Sequence, residues 1–581
     1  MATPVSFELD GRVRRLGRAG EVLLGGEPFK LIRLSPEGAR ALDALTSALP
    51  GALSDAAAEL AKRLVASGVL HPVPSARAAH MSEVAVVVPV RDEAGRLGRL
   101  LYALRRDFTG DILVVDDGST AAHGGADRIA EVTLRLGGTL HRRPTAGGPA
   151  TARNVARSAL AGAEPASLIA FVDSDVTPEL GWLDGLVGHF ADGAVGAVAP
   201  RVSTSRGVGA VGRALAAYES IRSPLDLGTA PGIVGAHHRV SYVPSAAIVC
   251  RRTALDDVGW FDPAMRVGED VDLVRRLEAA GWTVRYEPRV RVWHDARGGF
   301  LGFVRQRYGY GTSAADLEGR HPGTIAPFEG TLWGVGAVAG GAAVAGAALV
   351  ALVPAARGTL CRMWDICVPH GPESRRAAAA MRGRRTLGAT WDTCIPYDAV
   401  SRRVAPPRRS VAVVDTGAAL AWLAATWIPV RAFRAQLAQV GVPTPARIAL
   451  GTVTKGQLLG AGGLATAVRR VWWPPALVAA ILAPSLRRPM LGILAASEVV
   501  GVLPVWHRGR RPPGAGIAPP GAGIAPPGLV TTLVLATLDD FAYGAGVWAG
   551  CVRHGSLRAV APRVVRPAPA RPPSDPQTPA D

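Results

Sequence analysis

Short runs of consecutive apolar residues alternate along this chain with longer stretches of helical spacing. Val84-Ala85-Val86-Val87-Val88-Pro89-Val90, Asp111-Ile112-Leu113-Val114-Val115 and Leu168-Ile169-Ala170-Phe171-Val172 are the clearest runs. Continuous apolar strands between helices predict an α/β unit with a mostly parallel sheet covered by helices on both faces. Ligands of such sheets lie just beyond the C-terminal strand ends. Upstream, the apolar run Phe29–Leu34 gives way to helical spacing from Pro36. Ser35 before Pro36 is an N-cap and first-turn pair, and Ser54 starts a second helix with Leu60, Leu64 and Val65 on one face. Gly68 ends that helix, so residues 21–74 read as a small α/β, winged-helix-like unit.

The C-terminal half is apolar and reads as mainly helical. Leu332–Val353 carries no charge and is long enough to cross a bilayer at roughly 20 residues, which makes it a candidate transmembrane helix. A buried or interfacial helix pair is the competing reading. The apolar segments Val411–Val430, Met490–Trp506 and Leu529–Trp548 contain Asp415, Glu498, and Asp539 with Asp540. Carboxylates are costly inside a membrane, so these segments are expected to be re-entrant, interfacial or packed against partners. Arg357–Arg409 is an Arg- and Pro-rich interruption whose Cys361, Cys367, His370 and Cys394 lack paired metal-ligand spacing. Pro512–Pro527 repeats Pro-Pro-Gly-Ala-Gly-Ile-Ala, a linker with no face to bury, and the tail after Arg566 is rich in Pro and polar residues. The divisions are then 1–80, 83–330, 331–356, 357–410, 411–560 with the linker 511–528, and a disordered tail 561–581.

At 581 residues the chain exceeds one core, which stops growing at roughly 250–300 residues. Lys and Arg outnumber Asp and Glu by 65 to 47, an excess that suits anionic lipid or phosphate partners. No stripe of interleaved aromatic and basic residues is present, so a nucleic-acid partner is not expected. The five cysteines are odd in number and scattered, and no apolar stretch near Met1 resembles a secretory signal. Both features predict a catalytic part facing the cytoplasm, at the cell membrane or peripheral to it.

Three acidic groups are expected to follow strand ends in order: Asp116-Asp117, Asp173-Ser174-Asp175 and Glu269-Asp270. The pair in Asp173-Ser174-Asp175 projects to one side, and a hard divalent cation bridging phosphates takes one or two carboxylates plus phosphate oxygens. Taken alone, Asp173 and Asp175 read equally as caps of a helix beginning at Pro178-Glu179. Gly147-Gly148-Pro149 places free backbone amides at a helix start, where phosphate is favoured, and Arg153 adds a fixed charge.

Together these segments resemble the family 2 glycosyltransferases of GT-A fold, over residues 83–311. The resemblance rests on Pro89-Val90-Arg91-Asp92-Glu93, Asp116-Asp117-Gly118-Ser119, the Gly-Gly-Pro-to-Arg153-Asn154 segment, Asp173-Ser174-Asp175, and Gly259-Trp260-Phe261-Asp262 with Gly268-Glu269-Asp270. It implies that Pro89, Arg91, Glu93, Asp116, Asp117, Arg153, Asp173 and Ser174 bind the nucleotide-sugar donor, a UDP-sugar. Asp175, Asp173 and His294 would hold Mg2+ or Mn2+, and Arg305 and Arg307 would neutralise the diphosphate. Asp270 would be the base of an inverting transfer, with Glu269 as its supporting acceptor, since one carboxylate within reach of the acceptor hydroxyl suffices. The processive pattern Gln-x-x-Arg-Trp is absent, so addition of one or a few sugars is expected.

Leu34-Ser35-Pro36-Glu37-Gly38 through Gly68-Val69-Leu70 resembles the PqqD-like domains, and this head, the catalytic unit and the apolar C-terminal region together resemble the mycofactocin-system glycosyltransferases. Tyr242-Val243-Pro244-Ser245 and Asp539-Asp540-Phe541 through Trp548 belong to that resemblance, while the Arg357–Arg409 insertion departs from it. It implies glucose from UDP-glucose moved onto a small peptide-derived acceptor such as premycofactocin. Synthesis of a lipid-linked or cell-surface glycan is the alternative, and a non-catalytic nucleotide-sugar binder the third reading. Sugar transfer requires Asp117, Asp175 and Asp270 to open onto one cavity, whereas a pure binder has no need of the base Asp270.

Overall fold

The computed structural model describes residues 6–47, 53–73, 83–120, 125–162, 166–205, 207–296, 299–331, 408–509, 524–525 and 527–565. Leu332–Val353, most of the Arg357–Arg409 insertion, most of the Pro/Gly linker and the tail beyond residue 565 lie outside the described residues, while Arg563–Val565, expected within the disordered tail, is a short strand. The described residues form two compact units, one within 1–329, 440–443 and 462–563, the other within 330–439, 444–461 and 564–581.

The N-terminal segment of the first unit begins with β1 (Ser6–Leu9), which pairs with a later strand, and continues in a separate three-stranded antiparallel sheet of β2 (Arg14–Leu16), β3 (Val22–Gly25) and β4 (Lys30–Arg33). Two helices follow, α1 (Pro36–Leu45) and α2 (Asp55–Ala66), and then β5 (Leu70–Val73), the partner of β1. Ser35 Oγ accepts from Gly38 N at 3.1 Å and Ser54 Oγ from Ala57 N at 3.3 Å, so both caps act as their spacing predicts. Leu23, Leu42, Leu64, Val69 and Leu70 fill the small core.

The larger part contains β6 (Val84–Val90), α3 (Ala94–Leu104), β7 (Ile112–Asp117), α4 (Gly125–Arg135), β8 (Thr139–Arg143), α5 (Pro149–Asn154), α6 (Ala156–Ala159), β9 (Leu168–Val172) and β10 (Val176–Pro178). It continues through α7 (Trp182–Val187), β11 (Val195–Thr204), α8 (Gly209–Glu219), β12 (Gly232–Val234), β13 (Ala247–Arg251), α9 (Arg252–Val258), α10 (Glu269–Ala279), β14 (Thr283–His294), α11 (Phe300–Thr312) and α12 (Ala314–Arg320). The strands make one nine-stranded sheet in the order β8-β7-β6-β9-β13-β11-β14-β10, with β12 also on β14. Strands β8, β7, β6 and β9 run parallel, as do β11 and β14, while β13 is antiparallel to both its neighbours.

Alternation along each strand divides the core into two layers. Val84, Val86, Val88 and Val90 face one layer with Leu100, Leu104 and Trp182, and Ala85, Val87, Ile169 and Phe171 face the other with Trp260, Phe261 and Leu273. Burial of such side chains at roughly 1.5–3 kcal/mol each is what fixes the strand register. One expectation fails locally: Pro178-Glu179 does not start a helix. Val176–Pro178 instead pairs antiparallel with Val292–His294, and the helix begins later, at Trp182 after left-handed Gly181.

The C-terminal helices are α13 (Arg408–Gln439), α14 (Pro445–Arg470), α15 (Trp473–Leu482), α16 (Pro484–Gly509) and α17 (Leu529–His554). In the second unit, Gln457 Nε2 donates to Thr426 Oγ1 at 3.0 Å. In the first unit, α17 lies along α11, with backbone close to backbone where Gly311 meets Gly546. Asp539 and Asp540 are buried there, and their partners are arginines. Asp540 meets Arg222, Arg469 and Arg470, while Asp539 accepts from Tyr218 Oη at 2.9 Å and faces Arg307 at 3.5 Å. The acidic pair is thus packed against partners, as its cost in an apolar segment requires.

Candidate active site

The sheet register gathers the acidic groups. Asp173-Ser174-Asp175 leaves the end of β9, and the antiparallel pairing of Val176 with His294 sets Asp175 Oδ2 3.4 Å from His294 Nε2. Asp295 N donates to Asp175 O at 3.0 Å and fastens the same corner. The first two strand-end loops are tied together where Asp92, with φ at 57°, accepts from Thr120 N at 2.9 Å. Glu269 and Asp270 start α10 behind left-handed Gly268. Asp270 accepts from Val271 N at 2.8 Å and from Ser245 N at 3.3 Å, which aims its carboxylate toward the Tyr242–Ser245 segment.

These groups line a cavity of about 900 Å³. Of the residues the sequence singles out, Pro89, Arg91, Glu93, Asp117, Arg153, Asp173, Ser174, Asp175, Glu269, Asp270 and His294 face it. Asp117, Asp175 and Asp270 therefore share one space, although they lie far apart along the chain. Asp116 does not reach it: the side chain is wholly buried, accepting from Ser119 N at 2.9 Å and Arg142 Nε at 3.1 Å.

Several expected roles change. Arg305 is exposed away from the cavity, and Arg307 is buried under Phe303, held by Glu219 at 2.7 Å and by Asp539. Neither faces a diphosphate in the cavity. Arg153 does line it, but both terminal nitrogens are taken, by Glu269 at 2.9 Å and by Asp173 at 2.6 Å. It bridges the two acidic motifs rather than offering free charge to phosphate, and one oxygen of Asp173 is engaged in the same way. The neighbouring Asn154 clamps the Phe261 backbone from both sides, donating at 2.7 Å and accepting at 3.1 Å. The amides of Gly147 and Gly148 donate to Asp117, which also meets Arg143, so that helix start is filled by a carboxylate of the chain itself.

Burial pushes the Glu269 carboxyl up to about 7, and the adjacent Asp270 pushes the same way against the opposing Arg153. Asp270 is also raised by burial, with its backbone hydrogen bond from Val271 opposing. Each carboxylate is thereby a stronger proton acceptor than an ordinary exposed one.

The cavity also contains residues the sequence did not single out as site residues: Tyr242, Arg266, Gln306, Tyr310, Arg470 and Tyr543. A signal existed for two of them. Gln306-Arg307-Tyr308-Gly309-Tyr310 stands in the register of Gln-x-x-Arg-Trp, with Gly in place of Arg and Tyr in place of Trp, and Gln306 Nε2 donates to Tyr310 Oη at 2.9 Å. Arg470 and Tyr543 come from α14 and α17, which no local pattern connects to the sheet.

A family model described as Glycosyl transferase family 2 matches residues 85–258. Two curated proteins of Mycobacterium tuberculosis, from strains CDC 1551 / Oshkosh and ATCC 25618 / H37Rv, bear the name pre-mycofactocin glycosyltransferase. Each is 36% identical to this chain over 562 residues, covering 96% of it and 97% of the relative. Among solved structures, a mannosyltransferase from Pyrobaculum calidifontis in complex with GDP-Man and Mn2+ has a TM-score of 0.32 at 17% identity, over 74% of this chain and 89% of its own.

Proposed function

The chain belongs to the family 2 glycosyltransferases, in the group of the pre-mycofactocin glycosyltransferases, and from that premise we propose that it moves glucose from UDP-glucose onto pre-mycofactocin. It is an enzyme with a GT-A sheet; the donor, acceptor and stereochemistry are our reading. The observation that carries this reading is the shared cavity of Asp117, Asp175 and Asp270.

In the proposed reaction the nucleotide lies against Pro89, Arg91, Glu93 and Asp117, and the acceptor hydroxyl approaches Asp270. Asp270 takes the hydroxyl proton as the new carbon–oxygen bond forms at the anomeric carbon and the bond to the diphosphate oxygen breaks on the opposite face. Glu269, pinned by Arg153, keeps the start of α10 in place. Asp175 and His294 fit a divalent cation, because an oxygen and a nitrogen donor converge 3.4 Å apart at the cavity wall. Among the described residues no cluster of three or more His, Cys, Asp or Glu suits a metal, so donor phosphate oxygens would complete the shell. Asp175 and His294 would thereby bring Mg2+ or Mn2+ charge to the departing diphosphate.

The apolar surface supports membrane association. Pro484–His507 is long and apolar enough to cross a bilayer, with mean hydropathy 1.6 and only 11% of that window buried. Leu477, Val478, Ile481, Leu482, Leu486, Leu491 and Ile493 are exposed on α15 and α16. Val502, farther along α16, is buried against Leu535 and Ala536 of α17, so we read the pair as an interfacial hairpin rather than a full span. This surface favours one rival, transfer to a lipid-linked acceptor at the cytoplasmic membrane face.

The test is an assay of purified chain with UDP-glucose and pre-mycofactocin, with and without Mg2+ or Mn2+, read as UDP release and as the mass gain of one hexose. Metal-dependent release with that gain is expected. No release under any metal sinks the reading, and transfer confined to a polyprenyl phosphate would establish the rival.

A further inference from the structure

The C-terminal helices reach the cavity at two residues, Arg470 at the end of α14 and Tyr543 on α17. The Arg470 guanidinium lies 3.9 Å from the Tyr543 ring centroid, and its Nη1 donates to Asp540 Oδ1 at 3.0 Å. Asp540 is wholly buried and also held by Arg222 and Arg469, so the anchor is rigid. Arg470 gives that anchor one edge, keeps about a quarter (24%) of its side chain open and borders the cavity. Tyr543 sits on α17 where that helix meets Gly311 of α11, and Gln306 and Tyr310 of α11 line the cavity together with Tyr242 and Asp270. The Tyr242 hydroxyl is itself spent on the Pro224 carbonyl, so this ring contributes a wall and not a free donor. Arg470 and Tyr543 thus border the same cavity as Asp270. The arginines expected to serve the chemistry, Arg153 and Arg307, are already consumed by carboxylates of the chain.

We propose that Arg470 is an acceptor-recognising residue, binding a carboxylate or carbonyl oxygen of the acceptor while Tyr242, Tyr310 and Tyr543 flank its ring or apolar body, so that the acceptor hydroxyl is seated over Asp270. The proposal rests on the transfer reading with Asp270 as base. A guanidinium stacked on an aromatic ring has its geometry fixed before the ligand arrives, so little rotamer freedom is lost on binding. Acceptor choice would then reside in the C-terminal helices, and donor chemistry in the strand ends.

The experiment compares the full chain with its Arg470→Lys and Arg470→Met variants, using UDP-glucose and pre-mycofactocin and measuring the KM of each substrate separately. Loss of a charge-assisted hydrogen bond predicts an acceptor KM raised about tenfold or more in Arg470→Met, with donor KM within about twofold of wild type. Arg470→Lys keeps the charge beside Asp540 and so keeps the fold; it is expected to raise the acceptor KM by a smaller factor, since an ammonium lacks the planar fork. A rise in donor KM with the acceptor KM unmoved would place Arg470 at the diphosphate and overturn the proposal, as would unchanged constants in a folded Arg470→Lys. Wild-type chain that turns over neither substrate would refute the transfer reading itself, a different failure from either of these.

Discussion

At the scale of single residues, the proposed chemistry turns on a carboxylate that burial makes more basic. Asp270 acts only when deprotonated, and burial raises its carboxyl above the ordinary range, as it raises that of Glu269 to about 7. A raised value means that the proton is held at a higher pH than an ordinary aspartate holds it. Activity is therefore lost, as pH falls, before the ordinary aspartate value of about 4 is reached. Asp270→Asn removes the base without changing shape, and kcat is expected to fall about a hundredfold or more while the melting temperature stays near that of the wild type. Turnover within about tenfold of wild type, or a pH–rate profile flat down to about pH 4, would put the base elsewhere. The carboxylates were legible in the sequence because each follows an apolar run or a left-handed glycine that a strand end or helix start requires. The arginines were not. Arg153 and Arg307 look alike along the chain, and only the fold shows that one bridges Glu269 to Asp173 while the other is buried with Glu219 and Asp539.

Among elements, the contact of α11 with α17 decides whether the C-terminal helices can reach the cavity at all. A Cβ on Gly546 would run into the carbonyl oxygen of Tyr308 and sit 3.1 Å from the Cα of Gly311. Backbone cannot yield as a side-chain tip can, so Gly546→Leu must part the helices. We expect a loss of about 1–3 kcal/mol from overpacking, visible as a lower melting temperature, together with a raised acceptor KM as Tyr543 and Arg470 move. A variant with unchanged stability would show that the two helices are not in close contact. The strands β6, β7 and β9 were legible as apolar runs, but the reversed direction of β13 was not, because Ala247–Arg251 is an apolar run like the parallel strands β6, β7 and β9, and hydrophobicity carries no polarity of direction. Pro178 misled in a similar way: proline suits a first helical turn and equally a strand residue that donates nothing to the ladder.

For the whole molecule, the formal charge of +18 and the exposed apolar faces of α15 and α16 point to the same partner by different physics. Charge attracts an anionic bilayer over a distance that salt shortens, to about 3 Å at 1 M, whereas apolar insertion is indifferent to salt or strengthened by it. Co-flotation with vesicles that contain anionic lipid separates the two contributions. If the hairpin inserts as proposed, binding should weaken when salt is raised yet persist at 1 M. Replacing Ile481, Leu482 and Leu486 together with serine should abolish that resistant fraction and leave low-salt binding in place. These side chains are already exposed, so the substitution removes no core packing and a loss of binding is not a loss of fold. Complete release of the wild type by salt alone would mean that charge does all the work, and the apolar faces of α15 and α16 would then need an occupant other than lipid.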